Sequence, residues 1–107
     1  MKRITQPVTF EIGDDHADVS PEDALLLAEG LNERAAYSSI ADALALRVER
    51  EVVSASRGRA RLLRLDGDEQ YELESLLGRA DLTNELTEGL RSVLDRLRGN
   101  MAPRRTL

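Results

Sequence analysis

This chain of 107 residues predicts an α+β fold, predominantly helical, in the order strand-helix-helix-strand-helix-helix around a small sheet. Three observations point there. PVTFEI, residues 7–12, alternates Val8, Phe10 and Ile12 against Thr9 and Glu11, the period of two expected of a half-buried strand. From Ala24 to Ala35 the apolar residues Leu27, Leu31 and Ala35 recur every four positions, as on one face of a helix. Leu86, Leu90, Val93 and Leu97 repeat at spacings of four, three and four, a short heptad-like seam.

Gly13, Asp14 and Asp15 break the first strand, and the chain then spells out a helix start. Ser20 is the expected N-cap, accepting from the N3 amide. Pro21 stands at N1, where no amide hydrogen is needed, and Asp23 at N3 reaches back to the Ser20 amide. Leu25, Leu26 and Ala28 flank the apolar stripe of this helix, so the expected buried face is broad. A boundary follows at Ser38-Ser39, with Ser39 and Asp42 spaced as a second capping box.

The second helix is expected over 40–53, because Ile40, Leu44, Val48 and Val52 share one stripe. Residues 47–53, RVEREVV, also fit strand alternation, and both readings stay open. SASRG, residues 54–58, is a loop, and RARLLRL, residues 59–65, reads as the second strand. Asp66 and Glu69 are spaced as N-cap and N3 of a third helix carrying Leu73, Leu76, Leu77 and Ala80. A break is expected over Gly78 to Asp81, then a last helix over 83–98. Residues 1–98 form one domain on this reading. Residues 99–107 begin with the C-cap pair Gly99 and Asn100 and continue as a flexible basic tail.

Composition narrows the function classes. Hydrophobic residues make up 41% and charged residues 33%, the balance of a water-soluble globular protein. The longest apolar run, Ala24 to Ala28, is far short of the about 20 residues that cross a bilayer. Lys2 and Arg3 are followed by no apolar stretch of a secretory signal, so the expected location is cytoplasmic. Cysteine is absent, which removes disulfides, thiolate nucleophiles and thiolate-bound zinc. Of 15 basic residues all but Lys2 are arginine, a bias associated with GC-rich bacterial genomes. The net charge of -5 disfavours a broad nucleic-acid footprint. The charge is uneven: residues 1–56 carry 5 basic and 11 acidic groups, residues 57–107 carry 10 and 9.

GDDHADVSPED, residues 13–23, concentrates five acidic side chains and the only histidine. It lacks the register of a calcium loop, and His16 has no second imidazole or thiolate to share a transition metal. Asp14 and Asp15 are therefore read as turn residues, Glu22 and Asp23 as partners of the positive helix start, and His16 as a solvated loop residue. A metal protein or enzyme built on residues 14–23 is a lesser alternative. No serine stands in a nucleophile-elbow motif and no glycine-rich phosphate loop is present, so neither catalytic residues, metal nor cofactor is assigned.

SRGRARLLR, residues 56–64, holds the densest basic run. Arg57, Arg59, Arg61 and Arg64 are the candidate partner-binding residues, since arginines on a strand can grip phosphates or an acidic protein surface. Neutralising nearby carboxylates is the competing role. Two short strands make a marginal sheet, so either residues 47–53 add a third strand or a second copy pairs across a two-fold axis. A homodimer is expected, with Leu86, Leu90, Val93 and Leu97 as a second seam; closing the monomer core is the other use of those four residues.

The strand-helix-helix order of the first half resembles, in topology, the ribbon-helix-helix repressors, whose strands pair between two chains and enter the major groove. That likeness implies a DNA-binding regulator as the alternative function. Glu11 on the strand, seven residues between strand and helix and the acidity of this half depart from it. The sequence thus favours a non-catalytic cytoplasmic protein working through protein contacts, as a dimeric adaptor, regulator or accessory subunit with an unidentified protein partner.

Overall fold

The computed structural model describes residues 7–56 and 61–101, with residues 55, 56, 61 and 101 described by their backbone alone. Its elements are β1 (Val8–Ile12), β2 (Asp15–Val19), α1 (Pro21–Arg34), α2 (Ser39–Ser56), β3 (Arg61–Leu65), α3 (Gly67–Leu82) and α4 (Glu88–Met101). The protein is α+β and predominantly helical, in close to the expected order. The sheet runs β2-β1-β3, with β1 antiparallel to β2 and parallel to β3.

β2 is a strand beyond those expected from the sequence. Gly13 and Asp14 form a two-residue hairpin loop between the paired residues Ile12 and Asp15. Gly13 has φ 61°, and a positive φ confined to the first loop residue fits a type II′ turn, whose twist matches that of the flanking strands. DHADV then alternates, with Ala17 and Val19 buried and His16 and Asp18 exposed. Asp15 and His16 are thus strand residues, not parts of a loop. The third strand comes from the same chain, so β1 is paired on both sides. That arrangement leaves β1 no edge for pairing with a second copy, and the ribbon-helix-helix likeness does not carry over.

Helix ends follow local chemistry. Ser20 Oγ accepts from the Asp23 amide at 3.2 Å, as expected, but the Asp23 carboxylate accepts from the Thr87 hydroxyl at 3.1 Å. At α2 the cap is Ser38, not Ser39, its Oγ accepting from the Ala41 amide at 3.1 Å. Residues 47–53 are helical, because Val48 and Val52 extend the buried stripe of Leu44. Asp66 and Glu69 form the full capping box of α3, with bonds of 2.8 and 3.0 Å.

Gly78 does not end α3. Leu73 and Leu77 anchor it to the core, and packing outweighs the roughly 1 kcal/mol that an interior glycine costs a helix. The stop comes at Asn84, whose φ is 59°. The Glu85 amide reaches Ala80 O at 2.9 Å and the Asn84 amide reaches Asp81 O at 3.2 Å, which is a Schellman ending. Thr87 caps α4, accepting from the Leu90 amide at 3.2 Å. Gly99 and Asn100 lie within α4, not beyond it; residues 102–107 of the expected tail lie outside the described residues.

The helices cover one face of the sheet. Val8, Phe10, Ile12, Ala17, Val19, Leu63 and Leu65 are buried there beneath α2 and α4, and α1 packs along α2 while α3 packs along α4. The opposite sheet face stays open, carrying Thr9, Glu11, His16, Asp18, Leu62 and Arg64 in two cross-strand rows. Among the described residues no helix is long and apolar enough to cross a membrane.

Candidate partner-binding groove

Of the four arginines expected to bind a partner, only Arg64 has a described side chain. Arg57 and Arg59 lie outside the described residues. The Arg61 backbone is in register with Val8, and Arg64 is in register with Glu11, on the open side of β1. The Arg64 side chain, 77% exposed, ion-pairs with Glu11, which also stands 3.7 Å from His16 Nε2. Arg64 is therefore engaged with its own sheet, the neutralising role that the sequence left open. Among the described residues no group of three or more histidine, aspartate or glutamate side chains is placed to hold a metal ion.

The leucine seam is core. Val93 and Leu97 are fully buried and Leu90 is 5% exposed within a single chain, with Leu94 beside them. Their surface is covered by α3 and the sheet, so these residues offer a second copy no free seam. Leu86 differs: it is only partly buried, packed against the edge of the core.

Leu86 marks one place where apolar surface stays open. A groove of about 410 Å³ lies between α1, the second half of α3 and the start of α4. Its α1 wall is Leu26, Glu29, Gly30 and Glu33, and its α3 wall is Leu76, Arg79, Ala80 and Thr83. Both walls follow the helical i, i+3, i+4, i+7 spacing, so each is a single stripe. Leu27, Leu77 and Leu90 form the floor, and Glu85 and Leu86 close the end nearest α4.

Local features set this shape. α1 and α3 approach at Gly30, where an added Cβ would fall 2.9 Å from Leu76 Cδ1. The Schellman ending at Asn84 turns the chain so that Leu86 and Leu90 return to the groove. Thr87, donating to Asp23, ties the start of α4 to the start of α1. Leu25 and Leu26, expected on a broad buried face, are each 48% exposed. The buried face of α1 is narrower, consisting of Ala24, Leu27, Ala28 and Leu31.

Charge on the rim is one-sided. Glu29, Glu33 and Glu85 are exposed and enter no ion pair among the described residues, with Arg79 the only cation lining the groove. Several carboxylates away from the groove are matched, Glu72 with Arg34, Glu69 with Arg47, Glu74 with Arg98 and Asp81 with Arg91. Leucine walls below a carboxylate rim can desolvate apolar side chains and attract cations. The chain has no significant match to any protein-family model, curated protein or solved structure with which it was compared.

Proposed function

We propose that this protein is a non-catalytic adaptor or accessory subunit that works by contact with another protein, and that the contact is made at the groove between α1, α3 and α4. The observation that carries this reading is the half-exposed Leu26 facing Leu76 and Leu86 across an open apolar cleft. Open apolar surface of this kind, rimmed by polar groups, characterises interaction sites. The polar groups here sit on the rim and the floor is leucine, an arrangement suited to enclosing an apolar side chain rather than holding a reacting atom. We place the protein in a bacterial cell, on the arginine bias.

The reading does not depend on a homodimer. An uncompleted sheet was the ground for a second copy, and β2 completes the pairing of β1 within one chain.

A photo-cross-linking residue placed at position 26, and separately at position 62 on the open sheet face, tests the reading in the native cells. A covalent adduct with another protein is expected from position 26 and not from position 62. Adducts from 62 alone, or from neither, would remove the groove from consideration.

A further inference from the structure

Resting on the reading of the groove as a protein-binding site, we propose that its occupant is an amphipathic helix of the partner, with leucine-like anchors on one face and arginine or lysine beside them. Length is the first argument. Leu26 to Glu33 on one wall and Leu76 to Thr83 on the other each advance about 10 Å along their helices, the length of two helical turns. Two turns present apolar anchors at i, i+3 or i+4, and i+7, the spacing that helix-in-groove recognition uses.

Backbone chemistry separates a helix from an extended peptide. The walls are helices whose amides and carbonyls are bonded internally. Even the exposed end of α3 is closed, since Ala80 O accepts from the Thr83 and Glu85 amides and from the Thr83 hydroxyl. An extended segment would find no row of main-chain partners here and would bury unpaired groups. A helix brings its backbone already satisfied.

Charge selects the flanks. Glu29, Glu33 and Glu85 face solvent around the apolar floor against the single Arg79, so cations beside the anchors gain and carboxylates lose. The same rim disfavours a second copy, because a two-fold axis through the groove would bring both sets of glutamates together.

The test uses the full chain and three synthetic peptides sharing leucine at i, i+4 and i+7: one flanked by arginine, one flanked by glutamate, and one arginine-flanked but interrupted by proline. Binding is followed by amide NMR shifts and by titration at low and moderate salt. The expected result is that the arginine-flanked helix shifts amides of residues 26–33 and 76–90. It should bind about tenfold or more tightly than the glutamate form, a preference that salt and the triple variant Glu29→Gln, Glu33→Gln, Glu85→Gln both erase. Leu26→Ser, at a half-exposed position, should weaken all groove binding while the fold is retained.

Equal binding of both charge forms at these amides, or tighter binding of the proline-broken peptide, overturns the helix proposal and leaves the groove as a binding site. Concentration-dependent broadening of the same amides without peptide assigns the groove to a second copy and overturns the proposal. If no peptide moves these amides, the proposal is overturned, and cross-linking at position 26 then decides separately whether the groove is an interface at all.

Discussion

Arg34 Nε lies 2.5 Å from Glu72 Oε2, and this pair locks the end of α1 to α3 where α2 begins. Their side chains are 16% and 12% exposed, so the ions are largely withdrawn from water. Glu72 also accepts from the Ser38 hydroxyl at 2.9 Å, and Arg34 donates to Ser75 Oγ at 3.3 Å. One carboxylate thus serves the guanidinium of α1 and the N-cap of α2. Glu72→Ala leaves both without their acceptor and should lower stability by about 2–3 kcal/mol, below the usual figure for breaking a fully buried pair because Arg34 can still reach solvent. Glu72→Gln keeps an acceptor and should fall between. Urea unfolding at unchanged slope measures both; a loss under about 0.5 kcal/mol for the alanine variant would show that the pair adds nothing.

A second lock joins α4 to α3 and β3 beside the hairpin. Asn100 Nδ2 donates to Gln70 Oε1 at 2.6 Å, and Gln70 Nε2 donates to Leu65 O at 3.1 Å. The Asn100 side chain lies where a Cβ on Gly13 would have to go. Gly13→Ala therefore meets a positive φ and a collision together, and should cost about 2 kcal/mol or more. Asn100→Ala removes the collision but not the φ. The double variant should accordingly lose less than the sum of the two single losses, with a coupling of at least about 0.5 kcal/mol. Strict additivity in thermal or urea melts would contradict the contact.

How much of this was legible depends on the signal each element carries. β1 and α1 announce themselves through a period of two and a capped period of four, and both are local properties of the chain. The strand at DHADV was not read because two of its five residues are aspartates, and they obscure the alternation of Ala17 with Val19. Its usable cue was the pair Gly13-Asp14 after an apolar strand, a type II′ signature read instead as a simple break. The groove was hidden for a different reason. Leu25 and Leu26 lie in the run Leu25-Leu26-Leu27-Ala28, and composition cannot say which of four adjacent positions a helix buries. That choice is made by the packing of α2 and α3 against α1, which no pattern within the helix itself records. The break expected at Gly78 is absent for the same reason, since Leu73 and Leu77 anchor the helix to a core that the local sequence does not show.

The seam of α4 can be distinguished from a dimer interface by its response to dilution. Leu97 is fully buried in one chain, so Leu97→Ala should cost about 2–5 kcal/mol by loss of packing and formation of a cavity. The loss should be the same at low and high protein concentration. For an intersubunit seam the melting point of the parent protein would instead rise with concentration, and the variant would flatten that rise. Leu90→Asp should unfold the protein rather than yield folded monomers, because it introduces a carboxylate where 95% of the leucine surface is covered.

The free edge of β2 provides the last prediction. In its antiparallel register His16 and Asp18 direct their backbone groups away from β1, the arrangement that invites another strand. Two features oppose such pairing. The His16 amide is already held by the Asp15 carboxylate at 2.8 Å, and Asp14, Asp18 and Asp15, the last partly offset by Arg96 Nε at 3.6 Å, bring three carboxylates per copy to any two-fold approach along this edge. Each like-charge contact is worth some 0.2–1 kcal/mol, enough in sum to suppress a weak strand association. Replacing the three aspartates by asparagine keeps their shape and the local acceptor while removing the charge. Sedimentation should then reveal self-association of the variant that is absent from the parent protein, and high salt should induce a weaker form of it in the parent. A variant that stays monomeric throughout the same concentration range would mean that the geometry of the edge, and not its charge, keeps other strands away.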